Sequence, residues 1–124
     1  MKQQKGFTLV EILVSLVIVG IVTAGMSPVF AAMIQQNNKA ELKSGAIEAT
    51  QRQIDEFRLL DPATLPSSGY TTANITIGGR AFAVKTTYCS PSTYCTAVTR
   101  HLTFSTSYRG TAYYATQTVL TQLR

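Results

Sequence analysis

Few side chains in this chain of 124 residues could carry chemistry, and Glu11 is the first of them. It stands inside an apolar run, and the next charged residue along the chain is Lys39. A carboxylate in a membrane-length apolar segment costs about 3 kcal/mol on insertion scales and usually has a function. Two interpretations are open: Glu11 pairs with a cation that its own segment lacks, or its carboxylate reaches the lipid headgroups.

The two cysteines predict a disulfide rather than a metal or redox site. Cys89 and Cys95 lie in the polar half of the chain, which follows a membrane segment and is expected outside the cytoplasm, where disulfides persist. With His101 as the only histidine, the chain lacks four zinc ligands, and the spacing is not Cys-x-x-Cys. His101 is interpreted as a structural or surface residue.

No motif of an enzyme accompanies these residues. The sequence has no paired-carboxylate pattern, phosphate-binding loop or nucleophile motif. We therefore expect no catalytic activity, no cofactor and no metal.

The element that must position Glu11 is the apolar segment. Residues 12–34 are uncharged and would rise about 35 Å as a helix, enough to cross a bilayer core. Lys2 and Lys5 precede it, which places the N-terminus in the cytoplasm. A plain anchor does not explain Glu11. A secretory signal peptide is disfavoured because the apolar run is too long and contains a carboxylate.

Gly20, Gly25 and Pro28 weaken this helix. Proline removes a backbone donor and clashes with the carbonyl four residues earlier, so we expect a kink or break over residues 24–28.

Residues 35–60 are predicted to continue the same helix in amphipathic form. Met33, Ala40, Ile47 and Ile54 recur every seven residues, with Thr50 and Phe57 between them. This pattern predicts one buried stripe, and Asp61-Pro62 ends the helix. The complete helix would span residues 7–60.

Residues 61–69, with two prolines and a glycine, are predicted to be a connector, and from Tyr70 onward the residues favour strands. Residues 74–77 and 80–87 flank Gly78-Gly79, a two-residue hairpin signal, and residues 97–106 and 111–123 flank a turn at Tyr108-Arg109-Gly110. The predicted fold class is α+β: a long N-terminal helix, membrane-spanning in its first half, packed against a four-stranded antiparallel sheet.

The N-terminus resembles that of type IV pilins and the related pseudopilins. The resemblance is carried by Gly6-Phe7-Thr8-Leu9-Val10-Glu11 after a six-residue basic leader, and by the apolar run with Gly20 and Pro28. It implies four segments. These are a cleaved leader (1–6), a transmembrane and polymerisation helix (7–34), the amphipathic half of that helix (35–60) and an extracytoplasmic β domain with a disulfide loop (61–124).

The resemblance also implies a maturation route and partners. A prepilin peptidase would cut between Gly6 and Phe7 and methylate the new amine of Phe7. An inner-membrane assembly platform would then move the subunit from the membrane into a polymer with other pilins. In that polymer Glu11 would pair with the Phe7 amine of a neighbour, and the stretch from Gly20 to Pro28 would lose helical structure. The product would be a surface pilus or a periplasmic pseudopilus.

Three functions remain open at this stage. They are a major or minor subunit of a type IV pilus, a minor pilin of a DNA-uptake pilus, and a type II secretion pseudopilin. The net charge of +5 is scattered, so DNA binding is conceivable without being indicated. The residues that could meet DNA are Arg80, Lys85, Arg100, Arg109 and Arg124 with Tyr88, Tyr94, Tyr108 and Tyr113. The mid-sheet cysteines depart from many pilins, whose disulfide encloses the C-terminal segment.

Overall fold

The structure is a computed structural model that describes residues 6–122. The helix α1 spans Leu9–Arg58, and the strands are β1 (Tyr70–Ile77), β2 (Arg80–Tyr88), β3 (Thr99–Tyr108) and β4 (Thr111–Thr121). Single 3₁₀ turns occupy Pro62–Thr64 and Ser92–Tyr94. The chain divides into two compact units between Asn38 and Lys39. Residues 6–38 are called the first unit and residues 39–122 the second unit, and each is described by itself.

The first unit is helical from Leu9 onward, and every one of its described residues is exposed. Its most apolar 18 residues reach a mean hydropathy of 2.4, so α1 is long and apolar enough to cross a membrane. A bare apolar helix of this kind is stable in lipid, because all its interior backbone groups are paired within the helix.

α1 continues through Gly20 and Pro28 without interruption. A single proline removes one backbone hydrogen bond, and the bonds of the surrounding turns keep the helix together. Thr23 adds a bond from its hydroxyl to the carbonyl of Val19 at 2.8 Å. The break expected at this point is therefore not a property of the isolated chain, and the loss of helix in an assembled polymer stays a prediction.

The second unit is built on the last part of α1, residues 39–58. Its buried helical residues are Gly45, Ala46, Ala49, Thr50, Gln53 and Phe57. The stripe predicted from the sequence is correct at Thr50 and Phe57 and wrong at Ala40, which is exposed, while Ile47 and Ile54 are only half-buried. In the first unit, Met33 is exposed as well.

The buried face of α1 differs from the predicted stripe because small residues let the helix approach the sheet closely. A Cβ atom added to Gly45 would lie 2.7 Å from Cζ of Phe82, closer than side chains pack. The contact line follows glycine and alanine, and the larger isoleucines flank it.

The sheet is an antiparallel meander in the order β1-β2-β3-β4, as predicted. Both hairpins close with two-residue turns, Gly78-Gly79 and Arg109-Gly110, in which all four residues have positive φ. That geometry matches the twist of the flanking strands. β1 begins at Tyr70, where the strand-favouring residues were predicted to begin, and Tyr108 ends β3 instead of belonging to the turn. The predicted end of β4 at Leu123 lies outside the described residues.

The core lies between the sheet and residues 39–58. Phe82, Val84, Leu102 and Phe104 are buried on the sheet, and Phe104 meets Phe57 of α1 with ring centroids 5.9 Å apart. One buried polar contact joins the two layers, between the hydroxyls of Thr50 and Thr106 at 2.6 Å. The α+β fold class, with a long apolar helix and a four-stranded antiparallel sheet, is confirmed.

Candidate processing and assembly site

The predicted cleavage junction lies outside helix α1. Gly6, Phe7 and Thr8 are non-helical, and the side chain of Phe7 is 78% exposed. Among residues 6–122, no atom other than those of Gly6 and its chain neighbours lies within 4 Å of the place where a Cβ on Gly6 would be. Within this part of the chain, the peptide bond between Gly6 and Phe7 is therefore free of packing contacts that a protease would have to break.

Thr8 begins the helix and was not singled out in the sequence. Its carbonyl accepts the backbone N–H groups of Glu11 at 3.0 Å and Ile12 at 3.3 Å, and its hydroxyl accepts the N–H of Glu11 at 3.3 Å. This is an N-cap, a position at which threonine satisfies an otherwise unpaired helix donor. The pattern Thr-x-x-Glu before an apolar run is the signal that could have revealed it.

Glu11 lies in the first turn of α1 and is exposed. A carboxylate is favoured there because the N-terminus of a helix carries partial positive charge. Glu11 is also the only charged side chain among residues 6–38. No side chain of residues 6–38 supplies a cation to pair with it.

A shallow apolar groove lies beside the start of the helix. Its volume is about 400 Å³, and its lining residues are Phe7, Ile12, Ser15, Leu16 and Val19. Except for Ser15 these side chains are apolar and exposed, so they need lipid or another apolar surface as a cover. The cleavage junction, the helix cap and Glu11 are thus gathered on one short segment.

The second unit holds the predicted disulfide. Cys89 and Cys95 are bonded, with their Cα atoms 5.8 Å apart. The loop between them folds over His101, whose carbonyl accepts the N–H of Cys89 at 2.8 Å and whose N–H donates to Sγ of Cys95 at 3.2 Å. His101 is 3% exposed, and its Nε2 atom lies 3.2 Å from Oε1 of Gln117. This burial and this contact give His101 a structural role.

The residues proposed for DNA contact are largely engaged within the fold. Arg80 pairs with Glu41 at 2.8 Å, and Arg100 donates to the carbonyl of Leu65 at 3.2 Å. Tyr88 is buried, so its ring is not available for stacking on a base. Arg124 lies outside the described residues. No group of three potential metal ligands occurs among residues 6–122.

Comparison with known proteins agrees with this N-terminal arrangement. The family described as "Prokaryotic N-terminal methylation motif" matches residues 1–27. Type II secretion system protein I of Pseudomonas aeruginosa is 33% identical over 86 residues. The match covers 69% of this chain and 65% of that relative, just under two thirds of its length. No solved structure matches the chain.

The motif covers the predicted cleavage junction, the helix cap and the first carboxylate. The relative extends the similarity beyond the motif, over more than half of this chain. The chain therefore carries the prokaryotic N-terminal methylation motif, a class III leader, at residues 1–27 and is homologous to a type II secretion pseudopilin.

Proposed function

We propose that the chain is a structural subunit of a helical polymer, matured by a prepilin peptidase and assembled through the first unit. The observation that carries the proposal is Glu11, the only charged side chain among residues 6–38, which contain the exposed, apolar part of α1 and most of the matched methylation motif. A helix of this kind is stable in the inner membrane as a single pass, and it can exchange lipid for the helices of other subunits.

Maturation would proceed on the cytoplasmic side of the membrane. The peptidase would cut between Gly6 and Phe7, where the backbone is non-helical and unpacked, and would methylate the amine of Phe7. The new positive amine would be the cation that residues 6–38 lack. Pairing it with Glu11 of a neighbouring subunit neutralises a carboxylate that is costly in an apolar environment.

This pairing defines the symmetry of the polymer. The amine and the carboxylate are different groups on each copy, so the contact is heterologous and leaves one of each free at the ends. Such a contact extends into an open filament rather than closing into a dimer. The other partners would be the assembly platform of the inner membrane and further pilin-like subunits.

More specifically, the chain would be a subunit of a type II secretion pseudopilus rather than of a surface pilus. The relative named type II secretion system protein I supports it, over 69% of this chain. A deletion strain separates the two: loss of exported proteins from the medium with surface filaments retained indicates a pseudopilus, and the reverse result indicates a pilus. No observation favours the DNA-uptake alternative.

The variant Glu11→Gln tests polymerisation, since it removes the charge and keeps the shape of the side chain. We expect normal cleavage and methylation but loss of incorporation into filaments, measured by mass spectrometry of the mature N-terminus and by the amount of subunit in sheared filaments. Glu41→Gln is the matched control, an exposed acid in the second unit. Wild-type incorporation of the Glu11→Gln subunit would refute the role given to this carboxylate.

A further inference from the structure

The strands of the sheet differ in where their charged residues lie. Arg80 and Lys85 belong to β2 and Arg100 to β3, whereas β1 and β4 contain no charged residue and no proline. Proteins usually protect the edges of a sheet with lysine, proline or very short strands, because unpaired backbone groups recruit other strands. Here the charges lie on the inner strands, and the edges, with 8 and 11 residues, are unprotected.

One side of β1 and one side of β4 have no neighbouring strand in the order β1-β2-β3-β4. Within residues 6–122, no loop or helix donates a backbone hydrogen bond to these sides or accepts one from them. An edge in this condition is an acceptor for β-augmentation, in which a further strand supplies the missing hydrogen bonds.

The free backbone groups belong to alternate residues of each edge strand. On β1 the N–H of Tyr88 donates to the carbonyl of Gly69 at 2.9 Å, so the odd-numbered residues of β1 bond to β2. On β4 the N–H of Gln122 donates to the carbonyl of Val98 at 3.0 Å, so the even-numbered residues from 114 onward bond to β3. The residues that direct their backbone groups outward are Tyr70, Thr72, Asn74 and Thr76 on β1, and Ala115, Gln117, Val119 and Thr121 on β4.

We infer that the β4 edge of one copy pairs antiparallel with the β1 edge of a second copy of this chain, extending the sheet from subunit to subunit. The inference rests on the proposed polymerisation and adds to it a second contact, between the second units. In the register that pairs every outward residue, Asn74 faces Gln117 of the other copy. Tyr70, Thr72 and Thr76 then face Thr121, Val119 and Ala115.

Strand direction selects this pairing over a symmetric one. Successive strands of a meander alternate in direction, so β1 and β4 run oppositely and two copies in the same orientation meet β4 to β1 antiparallel. An antiparallel β4–β4 contact would require one copy to be inverted. A β4–β4 contact of that kind is isologous and closes on itself, whereas the β4–β1 contact is heterologous and extends from subunit to subunit.

The side chains on both faces of this junction are compatible. Asn74 and Gln117 place two amides opposite each other, so the side-chain N–H groups of Gln117 can donate to Asn74 while its Oε1 faces Nε2 of His101. On the face toward α1, the half-buried Ile75 and Ile77 would lie against Thr116 and Tyr114 of the other copy. No like charges face each other, because neither edge carries a charge.

Cysteine cross-linking in the full-length protein, assembled in its own membrane, tests the pairing. We expect the double variant Asn74→Cys with Gln117→Cys to form a ladder of disulfide-linked oligomers on mild oxidation. Within one chain the two positions lie three strand spacings apart and are also offset along the strands, so more than about 14 Å separates them and they cannot bond to each other there. The control Asn74→Cys with Ser105→Cys moves the second cysteine to the inner strand β3 and should stay monomeric.

Four results would overturn the inference. If filaments form normally but no ladder appears, the edge pairing is refuted and the proposed function is not. Dimers from Gln117→Cys by itself would indicate a symmetric contact, and cross-links only to a different pilin-like protein would show that the partner is not a second copy. If the wild-type chain enters no polymer, both this inference and the proposed function are wrong.

A charged residue at the edge gives a second readout that needs no cysteine. Ala115→Lys places a charge on the β4 edge, and we expect it to lower the ratio of polymer to monomer about tenfold. Ser105→Lys is the matched control, since Ser105 lies directly opposite Ala115 on the same face but in an inner strand. Equal effects of the two variants would show that the edge has no special role.

Discussion

The two units of this protein differ in whether they bury their own apolar residues. In the first unit every described residue is exposed, including the leucines, valines and isoleucines of a membrane-length helix. In the second unit Phe82, Leu102 and Phe104 are almost completely removed from solvent. The first unit therefore needs a lipid or protein environment, and the second unit supplies its own.

This contrast separates the physical basis of assembly from that of folding. The second unit has a packed core and a covalent cross-link, which are sufficient for a small domain. The first unit has no core of its own among its described residues, and its one carboxylate lacks a cation there. Changes in the first unit should alter maturation and polymerisation, whereas changes in the second unit should alter stability.

The largest expected effect is on maturation, and it comes from Gly6→Val. The site around Gly6 is open, so the fold tolerates the larger side chain, while a branched residue at the scissile bond should exclude the chain from a protease site that fits glycine. We expect complete accumulation of the precursor, read by intact mass. Gly20→Ala also adds a side chain in open space and should be processed normally. Detection of methylated Phe7 in the Gly6→Val protein would contradict the role given to Gly6 at the cleavage site.

The next effect should be confined to the stability of the second unit. Phe104→Ala removes a fully buried ring and should lower the free energy of unfolding by about 4 kcal/mol. Leu59→Ala truncates a residue that is 88% exposed, and it should change the free energy of unfolding by less than about 0.5 kcal/mol. Denaturant unfolding of the purified chain, followed by a probe in the sheet, measures both.

Cleavage at Gly6 in the Phe104→Ala protein sharpens the contrast between the units. It should proceed to completion as long as the precursor persists in the membrane. Failure of cleavage with the precursor still present would show that the units are not independent in maturation.

A smaller effect is expected where helix and sheet share a buried polar contact. Thr50→Val removes the hydroxyl that meets Thr106 at 2.6 Å and leaves Thr106 without that partner, which should cost about 2 kcal/mol. The double variant Thr50→Val with Thr106→Val removes both polar groups and should recover part of the loss. Additive losses in the double-mutant cycle, again by denaturant unfolding, would show that the two hydroxyls do not act together.

Much of the architecture followed from local sequence patterns. The uncharged residues 12–34 predicted an apolar helix, and the glycines of Gly78-Gly79 predicted a hairpin, because both depend on properties of adjacent residues. The disulfide between Cys89 and Cys95 was also predicted, from short spacing and compartment. The motif from Gly6 to Glu11 was readable for the same reason: it is contiguous.

The predictions that failed concern distances between segments. The buried stripe of α1 was placed by the spacing of large residues, yet the close approach at Gly45 and Phe82 moved it to glycine and alanine. The cap at Thr8 was missed because its pattern was not considered, although it is local. The burial of His101 could not be predicted, since it depends on how the disulfide loop folds over β3.

The sequence by itself therefore determined the elements of this protein: the apolar helix with its single carboxylate, the hairpins and the processing motif. Helical and strand periodicity and turn chemistry act over a few residues, so they can be read from the chain. Only the tertiary structure decided which face of α1 is buried and where His101 lies. Those outcomes depend on packing between residues far apart in the chain, which no local pattern records.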